Sequence, residues 1–498
     1  MVCCSFKADL QADFILNVPG YNLKDEGLVF TVKFIVSKFK EDFPSFFEDF
    51  NMGRGRPKKY LPDELLGLFV WGVFNNVLSC RKLADWLDNN DESCNYILNN
   101  KKPSKSTISR FFKYNKFLIG ELFYYTVFLG LKLKLIDNNC VAVDGTILKA
   151  NANNFNLIKI EEINFLEKLI KKYSDKKSKN STWFKLRKFF QKGKSCLDLK
   201  PLVDKIDENL NKNGLKLLKT CLISKSKLDY VKGFLIFLKE NYDGKHTISF
   251  TDPESRWMKD KEDKMGLNYN YQVAVDSHNG MVVAEYLTHS SQLDHHQMLK
   301  MMKMVEENLG QRPKFYLADN AYLNNQALEH AFINGSIPLI PSRVESMKHK
   351  KGNKIKSYSK INFIYNEKED NYICPQNQIL NYQHNRKINN VFYRVYSTSR
   401  CKICKSHNDC TKSRVREIMD REHPLRSKLR QDFNSKLGES MYQKRAPLSE
   451  GYFGSLKKNY KCKKVERKQL KNAKHELTLK AIAHNIQKIH KNLNTTLI

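Results

Sequence analysis

The chain has 498 residues, 41% hydrophobic and 11% aromatic, too long for one simple core and too apolar for a disordered chain. Its 86 Lys and Arg stand against 53 Asp and Glu, a formal charge of +33. A surplus of that size repels itself in a compact fold unless a polyanion offsets it, so nucleic acid is the expected partner. Codon bias toward Lys, Asn and Ile is the plainer alternative.

The opening Met1-Val-Cys-Cys-Ser-Phe-Lys7 has no basic stretch followed by an apolar one, so no signal peptide is expected. The longest apolar runs, near Leu65–Phe74 and Phe123–Leu131, fall short of the roughly 18–20 residues a membrane span needs. With twelve scattered Cys, best read as reduced thiols, the expectation is a cytoplasmic, nucleoid-associated chain with no membrane partner.

Residues 1–50 form an N-terminal segment without a chemical signature. Asn51-Met-Gly-Arg-Gly-Arg-Pro-Lys-Lys59 is a basic Gly/Pro stretch that cannot lie inside a helix or strand. Within 51–135 the spacing predicts an all-helical DNA-binding domain. Pro62 opens one helix, Ser79 caps a second, and Ser104 or Ser106 caps a third. An apolar helix follows from about Phe117 to Leu133.

The texture then changes, and 136–345 reads as a mixed α/β sheet. A short strand covers Cys140–Ile147. A Lys-rich helical insertion covers about 155–245, and a hairpin turns at Ser277-His-Asn-Gly280. A helix, a strand at Lys314–Asp319, a helix and a strand at Ile337–Pro341 complete it. Residues 346–430 form a basic, Cys-containing insertion, and 431–498 carry C-terminal helices that complete the core.

Two aspartates are predicted at strand ends: Asp144 in Val141-Ala-Val-Asp-Gly-Thr146 and Asp319 in Phe315-Tyr-Leu-Ala-Asp-Asn-Ala-Tyr322. A carboxylate is costly to bury alone, but two on adjacent strands can share divalent cations, and Gly145 and Ala321 would leave room for a ligand. A turn or helix-cap Asp is the bland alternative. In Tyr442-Gln-Lys-Arg445-Ala-Pro-Leu-Ser-Glu450-Gly-Tyr-Phe-Gly-Ser-Leu-Lys457, Glu450 and Lys457 lie two helical turns apart on one face. A carboxylate flanked by a cation and a hydroxyl suits phosphoryl transfer on DNA; a solvated charged face is the alternative.

These stretches, taken in order with Arg54-Gly-Arg-Pro57, Ser79-Cys-Arg81, Pro103-Ser-Lys-Ser-Thr-Ile-Ser-Arg110, Thr251-Asp-Pro-Glu-Ser-Arg256, Gly266-Leu-Asn-Tyr-Asn-Tyr-Gln-Val-Ala-Val-Asp276 and Ala483-His-Asn485, resemble a bacterial insertion-sequence transposase of the DDE class. The resemblance covers most of 54–490 and implies an InsH-like helical N-terminal domain joined to an RNase H-like catalytic core. It also implies that Asp144, Asp319 and Glu450 hold two Mg²⁺ (or Mn²⁺) ions, and that Tyr442, Arg445 and Lys457 contact transposon-end phosphates. The implied reaction is cleavage at the element ends followed by attack of the freed 3′-OH on target DNA. Double-stranded DNA is the implied substrate, and a homodimer bridges two ends. Asn320 and Leu448-Ser449 depart from the usual pattern without removing a ligand. A domesticated, inactive DNA-binding protein of the same fold and a Mg²⁺-dependent nuclease remain the alternatives.

Further candidates stand outside that set. Arg54 and Arg56 resemble an AT-hook core for a narrow minor groove, or a plain linker. Arg110, with Lys105 and Ser106, would face DNA in a helix-turn-helix; a simple helix cap explains the serines equally. Cys374, Cys401, Cys404 and Cys410 follow a C-x26-C-x2-C-x5-C pattern, a candidate structural Zn²⁺ site with His407 as an alternative ligand, or incidental thiols.

Overall fold

The computed structural model describes residues 27–495 except 49–58, 90, 175–180, 193–198, 243, 245–246, 261, 290–296, 343–356, 367, 389–390 and 422–423. Arg54 and Arg56 therefore lie outside the described residues. Among the described residues seven helices precede the first strand: Leu28–Asp42, the short Ser45–Glu48, Pro62–Phe74, Cys80–Asp88, Glu92–Ile97, Lys105–Tyr114 and Lys116–Lys132. The expected caps hold their ends. Ser79 accepts the Lys82 N–H at 3.1 Å, Ser104 accepts that of Thr107 at 3.4 Å, and Pro62 opens the first turn of its helix. Leu28–Asp42 falls in the segment expected to be featureless, and it buries Val32, Ile35, Val36 and Phe39.

The central sheet runs β4-β5-β1-β7-β8. Here β1 is Cys140–Lys149, β4 Arg256–Lys259, β5 Met265–Asp276, β6 Val282–Thr288, β7 Phe315–Leu317 and β8 Ile337–Leu339. β1 pairs antiparallel with β5 and parallel with β7, and β7 pairs parallel with β8. β4 and β6 follow one another along the other edge of β5. The fold is mixed α/β.

Between β1 and β4 lies the helical insertion. Five helices, Ile160–Tyr173, Thr182–Lys192, Lys200–Asn209, Lys212–Cys221 and Lys225–Glu240, close on a core of their own that includes Ile163, Leu166, Leu218 and Leu238. The strands β2 (Leu157–Lys159) and β3 (Thr247–Ser249) pair at its base. The basic insertion after β8 is a second sheet, order β13-β12-β11-β10-β9. Its strands are Ile364–Asn366, Asn371–Ile373, Ile379–Ile388, Val391–Ser397 and Ile418–Arg421, in chain order from β9.

The C-terminal helix Leu470–Thr495 joins the two ends of the chain. Its Asn485 side chain donates to the Val282 carbonyl at 2.9 Å and accepts the Val282 N–H at 2.8 Å. Asn485 also donates to Thr126 Oγ1 at 3.1 Å, so one amide ties β6, the Lys116–Lys132 helix and the last helix together. A single hydrophobic core runs from Val32 through Val143 and Val282 to Ile489. The helices between residues 59 and 135 thus pack on one another and share one core with the sheet and the last helix.

Asp252 and Asp276 are among the carboxyls buried in this frame. Burial pushes Asp276 up to about 7 and Asp252 up to about 6 from an ordinary 3.8. Asp276 accepts the His278 N–H at 2.9 Å through Oδ1, while its buried Oδ2 has no partner among the described residues. A carboxyl whose folded-state value lies above its unfolded one binds more protons when folded. The contribution of these two carboxyls to stability therefore falls as pH rises from about 4 through about 7 and levels beyond. Asp276→Asn is expected to flatten that slope and raise stability at pH 8 by at most about 4 kcal/mol. Urea unfolding at pH 5 and pH 8 checks this; an unchanged slope would contradict it.

Candidate active site

β1 and β7 run in the same direction, and their last paired residues are Ala142 and Leu317. Asp144 and Asp319 each stand two residues past that pair. Neighbouring strands lie about 4.8 Å apart and side chains repeat every second residue, so the register sets the two carboxylates side by side. Asp144 is inside β1, the fifth of its ten residues, and not at the strand end as expected. It is reachable because β7 stops beside it and opens that edge of β1. Asp319 follows β7 and caps the short turn Asn320–Tyr322, accepting the Ala321 N–H at 2.8 Å through Oδ1. The bland role of a turn cap is thus one of its roles.

Each carboxylate spends one oxygen locally and turns the other to the same cation. Asp144 Oδ1 accepts the Gly145 N–H at 2.8 Å. Arg445 Nη2 then stands 3.6 Å from Asp144 Oδ2 and 3.7 Å from Asp319 Oδ2. These are charge contacts rather than hydrogen bonds. With side-chain exposures of 18% for Arg445 and 15% for Asp144, the pair is well screened from water; Asp319, at 39%, is the open side. Arg445 begins the helix Arg445–Lys458, whose Ser449, Tyr452, Phe453 and Leu456 are buried, and Tyr452 meets Tyr271 of β5 at 3.1 Å between hydroxyls.

Tyr442 closes the same corner. It ends the helix Lys436–Tyr442 and packs edge-on against Phe433 with centroids 4.8 Å apart. Burial pushes its phenol above the ordinary range, Arg445 pulls it back, and the charges of Asp319 and Asp144 push it further up. The space beside Gly145 is not open to a ligand, contrary to expectation. A side chain there would collide with the Gln272 amide and the Tyr322 hydroxyl, which bond to each other across it. Gln272 and Tyr322 therefore brace the Asp144 segment. Both lie in motifs legible in the sequence, though nothing there marks them as neighbours.

Four of the six residues proposed for the catalytic corner meet: Asp144, Asp319, Tyr442 and Arg445. Glu450 does not join them. It is exposed on the Arg445–Lys458 helix, and among the described residues no group of three or more His, Cys, Asp and Glu side chains is drawn together tightly enough to hold a metal ion. Five helical positions after Arg445 turn the chain about 140° beyond a full turn, which carries Glu450 off the face that Arg445 shares with Ser449. Lys457 is half-buried two turns further along the same helix. Arg110 is exposed on Lys105–Tyr114, remote in sequence, with its Nε donating to the Ser106 carbonyl at 3.4 Å.

Two carboxylates presented by neighbouring parallel strands thus share one cation from the adjoining helix. Residues 373–490 match the model of a family described as transposase DDE domain. The match spans roughly a quarter of the chain; it includes Tyr442, Arg445, Glu450, Lys457 and all four clustered Cys, and it leaves Asp144 and Asp319 outside. It supports a DDE transposase, and with it a nucleic-acid-cleaving enzyme. No curated protein and no solved structure matches the chain. No helix among the described residues is long and apolar enough to cross a membrane.

Proposed function

We propose that this chain is a DDE transposase that cleaves DNA at the ends of a mobile element and joins the freed 3′-OH to target DNA. The observation that carries the reading is the pair Asp144 and Asp319, held in register past the end of β7 and already sharing one cationic group. Supporting it is the strand order, with β6, β5 and β1 antiparallel in turn and β1, β7 and β8 parallel, which is the order expected of an RNase H-like core.

The donor set fits a hard divalent ion. Two carboxylates face one point, and Arg445 stands there as a stand-in cation. Asp144 and Asp319 would hold Mg²⁺ or Mn²⁺, two ions in the reading proposed here, and Glu450 would complete the set only if the Arg445–Lys458 helix turned it inward. Bound at such a site, the ions lower the pKa of the attacking hydroxyl and stabilise the leaving 3′ oxygen. The chain's own residues orient the substrate. Arg445 offsets the repulsion of the two carboxylates and is placed to contact the scissile phosphate. Tyr442, kept protonated by burial, donates a hydrogen bond, and Lys457 anchors a neighbouring phosphate. The formal charge of +33 suits double-stranded DNA on a wider surface, with Arg110, Arg54 and Arg56 as contacts and a homodimer bridging two ends.

The test is a cleavage and joining assay on duplexes carrying the sequences that flank the gene. With Mg²⁺, nicked 3′-OH ends and joined products are expected, and a chelator abolishes both. Binding without cleavage would instead identify an inactive DNA-binding relic, and cleavage without joining a nuclease.

A further inference from the structure

The sheet β9–β13 has a small core. Phe363, Tyr372, Leu380, Tyr396 and Ile418 are its buried apolar side chains, with Cys374 and Cys410 packed against them. About twenty residues connect β12 to β13, and their two short helices, Ser399–Ile403 and His407–Cys410, bury nothing. A connection of that length without buried apolar groups needs another anchor to hold one conformation. Four cysteines meet at this point. Cys374 follows β10, Cys401 and Cys404 flank the end of the first short helix, and Cys410 ends the second. All four line one small cavity, capped by Phe363, Leu380 and Arg416, and all are free thiols.

The turn after Cys374 aims backbone donors at its sulfur. Cys374 Sγ accepts two backbone N–H groups, from Gln376 and Gln378, each at 3.3 Å. The tight turn that aims them is closed by Cys374 N–H to the Gln378 carbonyl at 2.9 Å, with Asn377 in the left-handed region at φ 54°. Backbone N–H groups pointed at a cysteine sulfur are the outer hydrogen bonds that orient a metal ligand. Four sulfurs already make a full tetrahedral set, so His407, which also lines the cavity, is not needed as a donor.

We propose that Cys374, Cys401, Cys404 and Cys410 bind one structural Zn²⁺ that pins the β12–β13 connection to the β10–β11 turn. The four thiols line the cavity but are not gathered to ligand distance, so binding would require the cavity to contract around the metal. Four sulfur donors with no open position make a closed tetrahedral site for a redox-inert ion. Each thiol loses its proton to solvent as the ion binds.

Metal analysis of the purified full chain, without DNA, tests this. One zinc per chain is expected, with four thiols shielded from a thiol reagent until a chelator is added. Co²⁺ in its place should give the absorption of a tetrahedral thiolate site. His407→Ala should keep the zinc, and Cys404→Ser and Cys410→Ser should each lose it. Asp319→Asn should also keep it, which separates this site from the proposed catalytic one. Because the Cys variants could lose zinc by misfolding, the wild-type measurements carry the test. Wild-type protein that neither contains zinc nor takes up Co²⁺ after reduction, iron in place of zinc, or four thiols reactive before chelation would each overturn the proposal.

Discussion

Asp319→Asn is expected to abolish metal-dependent cleavage of element ends, lowering the rate by at least about a thousandfold, while DNA binding persists. The substitution keeps the shape and the side-chain oxygen that accepts the Ala321 N–H, so the Asn320–Tyr322 turn survives. What it removes is one of the two negative charges facing Arg445 Nη2. Charge stabilisation by bound divalent ions supplies several kcal/mol at such sites, and each 1.36 kcal/mol is a tenfold change in rate. Asp144→Asn should match it, because its free oxygen faces the same cation. Gel-based cleavage with Mg²⁺, set beside a binding isotherm for the same duplex, measures both. Normal cleavage by the Asp319 variant would move the active site elsewhere. Glu450→Gln is the more informative companion. A loss equal to that of the aspartates would mean that the exposed Glu450 comes inward when metal and DNA bind.

The second large effect is on folding. Glu476 and Lys480, one helical turn apart in Leu470–Thr495, are almost wholly buried and paired at 2.9 Å. Glu476 also accepts the backbone N–H groups of Glu466 and Arg467, each at 2.9 Å, which holds the loop entering the last helix against the core. Glu476→Ala strands a buried ammonium and two backbone donors, so a loss of about 3–5 kcal/mol is expected. The double substitution Glu476→Gln with Lys480→Met should recover much of that loss. It removes both charges and leaves a carbonyl for the backbone donors. Denaturant unfolding of the three proteins measures this; a single variant within about 1 kcal/mol of wild type would mean that water reaches the pair.

Legibility followed the range of the signal. Helices marked by a cap and an apolar stripe, such as Cys80–Asp88 and Lys105–Tyr114, begin directly after a serine expected to cap them. Leu28–Asp42 was missed. Its Val29, Thr31, Val32, Ile35 and Val36 are β-branched, and its apolar residues recur too densely to separate helix from strand. The second sheet was read only as a basic insertion. Along Ile379–Ile388 nearly every side chain is exposed, so the alternation that marks a half-buried strand never develops.

Local chemistry in the chain determined the two acidic strand motifs, the capped helices, the cysteine spacing and the excess of positive charge. Each depends on residues within a turn or two of one another, so each is written in consecutive letters. Tertiary structure alone decided that Ala142 pairs with Leu317 and so sets Asp144 beside Asp319. It also decided that Arg445 reaches both, that Gln272 and Tyr322 fill the space at Gly145, and that Glu450 faces outward. Those outcomes depend on strand register and helix rotation, which are fixed by burial across the whole core and leave no trace in local spacing.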